Sequence, residues 1–175
     1  DNGGKGFYED DAPNFFGSYY SRTKILSENI LEDFDVLQLR VRMPIDSVPD
    51  SRNLITKLLN YNKIMDAANS VTIISDFLKY SKELIDTKFG KYNVVNTGSI
   101  KNSEILEMYQ KISGSALNYK VISSKELDDL TLARRSNCIL SSDKMKSEGY
   151  IMPDIKSSLW NTMKTYIESE QKENN

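Results

Sequence analysis

Tyr20 and Lys24 stand four residues apart in the tract PNFFGSYYSRTKILSENIL, residues 13–31. On a helix, positions i and i+4 share a face, so a phenol and an ammonium would project side by side. A phenol ordinarily keeps its proton at neutral pH. An ammonium roughly 5 Å away stabilises the phenolate by about 3 kcal/mol at an effective dielectric of about 20, which suits the phenol to general acid catalysis. With 10 tyrosines and 23 lysines and arginines among 175 residues, about one such pair is expected by chance. The pair therefore gains meaning only from the elements around it.

Ser18 is of a type that caps helices, and Leu26, Ile30 and Phe34 follow at helical spacing, so the tract predicts a helix with both reactive groups on one side. Next, VLQLRV, residues 36–41, has the apolar, β-branched character of a buried parallel strand, stopped by Met43-Pro44-Ile45. Ligands of open α/β sheets gather beyond such strand ends. The pattern then predicts a helix over 53–61, short strands over 63–66 and 71–74 with AANS as the turn, and a helix over 76–87. The apolar stripe of that last helix is Phe77, Tyr80, Leu84 and Ile85. A strand over 92–95, a helix over 102–112 and a strand over 119–122 follow, and residues 124–132 suit helix or loop. A short helix over 143–147 precedes a final helix over 154–168, whose buried side is Ile155, Leu159, Met163 and Tyr166. Strands alternating with helices make the chain α/β. The opening run DNGGKGFYEDDAPN reads as a polar surface loop, because its glycines neither follow a strand nor open a helix.

Composition narrows the chemistry further. A formal net charge of -2 and a pI near 5.3 give no general attraction to nucleic acid or to an anionic membrane, so any phosphate must be bound locally. No apolar run approaches membrane-spanning length and no basic-then-apolar leader opens the chain, so the expected location is cytoplasmic. Cys138 is the one cysteine and there is no histidine. An internal disulfide, cysteine-pair zinc sites, histidine triads and histidine metal sites are thereby excluded, and no metal is expected. Tyrosine, lysine, serine and carboxylates remain.

Six blocks in one order, GSYYSRTK, LRVRMPI, RNLITK, SVTII, YNVVNTGSI with NSEILEMY, and RRSNCILSSDKM, resemble the extended short-chain dehydrogenase/reductases. Within that family the likeness is to the bifunctional 3,5-epimerase/4-reductases of nucleotide-linked rhamnose synthesis. It implies a Rossmann-type fold, of which this chain is the carboxyl-terminal part, with a small α/β substrate-binding lobe. Residues 1–45 and 71–98 would complete the nucleotide-binding domain, and residues 46–70 and 99–175 would form the lobe. The glycine-rich dinucleotide turn, the catalytic serine or threonine and an epimerase cysteine are all expected before Asp1. Two parallel strands parted from such a first half would expose their edges, so a fragment of this kind is expected to fold poorly alone.

The resemblance also implies roles. Tyr20 would protonate a C4 alkoxide and Lys24 would favour the phenolate and hold the nicotinamide ribose of NADPH or NADH, with the Met43-Pro44-Ile45 backbone near the nicotinamide amide. The electron-withdrawing ketone acidifies C3 and C5, so Tyr20 could serve epimerisation as well. Fucose-forming relatives use a cysteine and a histidine there, and this chain has no histidine. Lys57, matched by a lysine in rhamnose-forming enzymes, is the candidate proton donor, or else a solvated helix lysine. Asn53, Arg135 and Asn137 are candidates for substrate binding, Arg135 for the diphosphate; Arg134 stands where a proline is common and reads as surface charge. Cys138 reads as a small core residue. The implied partner is a nucleotide sugar, and a homodimer through the tyrosine helix is compatible with the family. Two other readings stay open: a 4-ketoreductase alone, needing no Lys57, and a noncatalytic scaffold, which has no need of the Tyr20–Lys24 pair.

Overall fold

The computed structural model describes residues 6–132 and 135–173. Six short strands pair strictly in parallel, two by two. Strand β1 (Leu37–Arg40) pairs with β5 (Gly90–Asn93), Leu37 opposite Gly90 and Arg40 opposite Asn93. Strand β2 (Pro44–Ile45) pairs with β4 (Thr72–Ile73), and β3 (Lys63–Met65) with β6 (Lys120–Ile122). Parallel partners need long crossovers, and helices fill them; seven helices are present among the described residues. These are α1 (Tyr19–Leu31), α2 (Leu54–Leu59), α3 (Ile74–Leu84), α4 (Asn102–Ser113), α5 (Ser124–Leu130), α6 (Asp143–Ser147) and α7 (Ile155–Glu173).

Parallel pairing corrects one expectation. The strands on either side of AANS are not partners: β3 joins β6 and β4 joins β2. Asn69 explains why. Its backbone exchanges both hydrogen bonds with Ile100, each 3.0 Å, which pulls the turn away from a hairpin path. The segment from β1 to β2 is also bent, because Met43 adopts a left-handed φ of 43° between Arg42 and Pro44. Residues 124–130 resolve as helix, closed at its start by a capping box of Ser123 and Glu126.

Two apolar clusters form the core. The larger collects Ile45, Ile55, Leu58, Ile64, Val71, Ile73, Ile100, Ile105 and Leu106 against Ile155, Leu159, Met163 and Tyr166 of α7. The smaller packs Leu84, Tyr92 and Val94 with Met145 and Met152, flanked by Leu37, Leu39, Phe77 and Tyr80. Ile85 lies past the end of α3 and is 53% exposed, so the stripe of that helix stops at Leu84. Thr72, fully buried, ties β1 to β5: its hydroxyl donates to the Val94 carbonyl at 2.9 Å and accepts the Arg42 N–H at 3.1 Å. Leu159 is 0% exposed. Leu159→Ala is expected to cost about 3 kcal/mol of unfolding free energy, measured by urea denaturation of the full-length protein; a loss near zero would mean that α7 is not core.

A further expectation is corrected. Residues 6–9 are not a surface loop. Phe7 forms a parallel bridge with Leu140, donating its N–H to the Ile139 carbonyl at 2.8 Å and accepting from the Ser141 N–H at 2.9 Å. Glu9 is 4% exposed and accepts the Asn93 N–H at 2.8 Å. The composition of the run is polar, but its backbone is satisfied by β-type partners distant in sequence. Helix α1 in turn buries no residue and ends at Leu31, so Leu26 and Ile30 are 59% and 58% exposed and Phe34, expected on the same helix, lies past its end at 61%. Their spacing makes an apolar stripe that nothing within the described residues covers.

Candidate active site

Helix α1 begins where its cap places it. Ser18, extended at φ -140°, accepts the Ser21 N–H at 3.1 Å. One turn and two turns later Tyr20, Lys24 and Glu28 fall on one face, and all three line a single cleft of about 950 Å³. Lys24 Nζ lies 5.6 Å from the centroid of the Tyr20 ring. The two groups thus converge on open space. Tyr20 is 69% exposed, so water screens their attraction; a ligand filling the cleft would expel that water and strengthen it.

With no buried side chain of its own, α1 is held by polar ties. Arg40 clasps Glu28 through two parallel bonds, Nε to Oε1 at 2.8 Å and Nη2 to Oε2 at 2.6 Å. Its Nη1 donates to the Glu9 carbonyl at 3.2 Å. Burial alone would pull the Arg40 proton affinity down, yet the Glu28 carboxylate outweighs it and the guanidinium ends above its ordinary range. Lys91 pairs with Glu32, and Arg22 Nε reaches the Phe16 carbonyl at 2.9 Å. Arg40 is the last residue of β1, and Leu39 through Arg42 line the cleft, so the cleft opens at the carboxyl end of that strand.

The opposite wall is residues 135–140. Arg135 and Asn137 both line it and both are exposed. Asn69, 3% exposed, organises this wall. Its Oδ1 accepts from Arg42 Nη2 at 2.8 Å and from the Cys138 N–H at 2.9 Å, while its Nδ2 donates to Ala67 O at 3.1 Å and Asn137 Oδ1 at 3.4 Å. Ser70 adds a backbone bond to the Cys138 carbonyl at 3.0 Å. Cys138 is half-buried at the cleft wall, and burial pushes its thiol up. Arg134, read from the sequence as surface charge, lies outside the described residues.

The remaining sequence candidates sit elsewhere. Asn53 is 6% exposed and caps α2: its Oδ1 accepts the Ile55 N–H at 3.2 Å, and its Nδ2 donates to the Asp46 and Val48 carbonyls at 2.8 and 2.9 Å. With Pro44 it borders a separate, smaller cleft of about 350 Å³. Lys57 is exposed on α2 and lines neither cleft. Met43 packs against the larger core cluster, and Ile45 is fully buried within it. Sequence reasoning missed Glu28, Arg40, Arg42 and Asn69. A signal existed: an arginine at the end of an apolar strand and a second one two residues on demand partners, and Glu28 continues the four-residue spacing of Tyr20 and Lys24. Among the described residues no cluster of carboxylates and cysteine suits a metal ion, and no helix is long and apolar enough to cross a membrane.

The chain is 41% identical over 159 residues to the bifunctional dTDP-4-dehydrorhamnose 3,5-epimerase/reductase of Arabidopsis thaliana, a match covering 89% of this chain and 53% of that protein. It thus spans about half the length of that relative. A UDP-rhamnose synthase from Acanthamoeba polyphaga mimivirus superposes with a TM-score of 0.88 at 34% identity, over 92% of this chain and 57% of that one. A dTDP-4-dehydrorhamnose reductase of Bacillus anthracis, solved with NADP, has the same fold at a TM-score of 0.74 and 19% identity, over 93% of this chain and 59% of that one. No protein-family profile matches the chain.

Proposed function

This chain is a homologue of the extended short-chain nucleotide-sugar epimerase/reductases of rhamnose synthesis, and we propose that it carries the catalytic tyrosine helix and the sugar-nucleotide wall of such an enzyme. The proposed reaction is 3,5-epimerisation and 4-keto reduction of a UDP-4-keto-6-deoxyhexose to UDP-rhamnose, by a cytoplasmic enzyme of which this is the carboxyl-terminal part. The observation that carries it is the convergence of Tyr20 and Lys24 on the cleft that also holds Arg135 and Asn137.

A reduced nicotinamide dinucleotide, NADPH or NADH, suits this site because the cleft is roomy and opens at the end of β1, beside the Tyr20–Lys24 pair. When bound, that cofactor supplies the hydride that reduces C4. Tyr20 donates its proton to the developing C4 alkoxide, and Lys24 favours the phenolate left behind while its ammonium suits the ribose hydroxyls. Arg135 offers a forked cation to the diphosphate, and Asn137 an amide beside it. Asn53 would act through the 46–53 connector that its amide holds, and Met43-Pro44-Ile45 through the backbone after β1. Lys57, which lines neither cleft of this chain, is proposed to deliver the proton that epimerisation needs from the exposed face of α2. The division into a nucleotide-binding part (1–45, 71–98) and a substrate lobe (46–70, 99–175) is proposed with it, as is a homodimer through α1.

The experiment is turnover of UDP-4-keto-6-deoxyglucose by the full-length protein in deuterated water. Reduced nicotinamide should be consumed and deuterium should enter C3 and C5 of the product. No consumption with either dinucleotide overturns the reading. Lys57→Ala should slow deuterium entry about 100-fold while leaving nucleotide-sugar binding intact. Unchanged exchange removes Lys57 and leaves a mechanism without it.

A further inference from the structure

Among the described residues, no carboxylate answers the charge of Arg42, whereas Arg40, two residues away, is clasped by Glu28. Among the described residues both of its side-chain hydrogen bonds leave through Nη2 and end on neutral oxygens, Asn69 Oδ1 at 2.8 Å and the Ser136 carbonyl. Nε is buried with no partner among the described residues. Burial accordingly lowers the proton affinity of the guanidinium; the Cys138 thiol acts in the opposite direction, but burial pushes that thiol up, so it stays protonated and uncharged at neutral pH. A half-buried cation with a buried Nε and no counter-charge among the described residues is costly to hold, and a bound anion would offset that cost.

The side chain lines the main cleft, and its bond to Ser136 fixes it beside Arg135. We propose that Arg42 is a second anion-binding residue of this cleft, acting with Arg135 on the diphosphate of the bound nucleotide sugar. This deepens the proposed function and rests on it for the identity of the ligand, while the anion preference rests on the geometry of Arg42 alone. Arg135 is exposed and adaptable, whereas Arg42 is fixed by Asn69 and Ser136 before any ligand arrives, so it would set the depth at which the diphosphate stops. A second diphosphate, that of the dinucleotide, offers the same chemistry. The sugar nucleotide is favoured because Arg42 is tied to the wall of Arg135 and Asn137.

The test titrates UDP, uridine and NADPH into the full-length protein by calorimetry, for the natural sequence, Arg42→Met and Arg42→Lys. UDP should bind about 10- to 100-fold more weakly to R42M, the range of one charge-assisted contact, and R42K should fall between. Uridine and NADPH should be unaffected. The thermal stabilisation by UDP should shrink in R42M whichever way the unliganded melting temperature moves. Should R42M not fold, R42K alone must still weaken UDP relative to uridine. Equal UDP affinity in the variants, equal weakening of UDP and uridine, loss confined to NADPH, or a natural protein that binds UDP no better than uridine would each overturn the proposal. A protein that lacks sugar turnover but still loses UDP affinity on R42M sinks the proposed reaction and leaves the anion site standing.

Discussion

Tyr20→Phe, in the full-length protein, is expected to reduce the 4-keto sugar about 10²- to 10⁴-fold more slowly while binding UDP as before. Phenylalanine keeps the ring and removes only the proton that the C4 oxygen must take. Tyr20 is exposed and packs against nothing in the core, so folding stability should not change by more than about 0.5 kcal/mol. The measurement is single-turnover oxidation of the reduced nicotinamide, with nucleotide binding and melting temperature as controls. Undiminished reduction would end the assignment of Tyr20 as the acid, whatever the relatives do.

Arg40→Met is expected to lower the same rate about 100-fold with Tyr20 untouched, because a catalytic group displaced by about 1 Å loses that much. The physical cause is that α1 has no buried face: its orientation depends on the paired bonds from Arg40 to Glu28, supported by Lys91–Glu32 and the Ser18 cap. Removing the guanidinium also strands a carboxylate whose side chain is 26% exposed, at a cost of about 2 kcal/mol. Amide exchange across residues 19–31 should accelerate well beyond that of α7, which is anchored in the core. In a double-mutant cycle, Glu28→Gln and Arg40→Met should couple by about 1 kcal/mol or more. Additive losses, or α1 protection equal to that of the parent protein, would make Arg40 incidental to the position of Tyr20.

Both results bear on how the site could be read from the sequence. The local signals were sufficient for α1 and its Ser18 cap, for α4 and for the buried side of α7, since each depends on residues within a few positions of one another. The Tyr20–Lys24 convergence is of the same kind: a four-residue spacing on a helix admits one arrangement. Strand partners were not legible, and AANS joined two strands that proved to belong to different pairs. The run ahead of Pro13 read as a loop because its partners, Ile139 and Ser141, lie far along the chain.

By itself, then, the sequence determined the α/β alternation, the shared face of Tyr20 and Lys24, and the lack of histidine and of a second cysteine within these 175 residues, because these follow from residue type and short-range periodicity. Only the tertiary structure decided that α1 leans on a salt bridge instead of an apolar face, that Asn53 spends its amide on its own connector, and that Arg42 meets no carboxylate among the described residues. Each of these turns on the pairing of polar groups across tens of residues. Hydrophobic periodicity carries no information about which buried charge meets which partner, so such assignments exist only once the chain has brought them together.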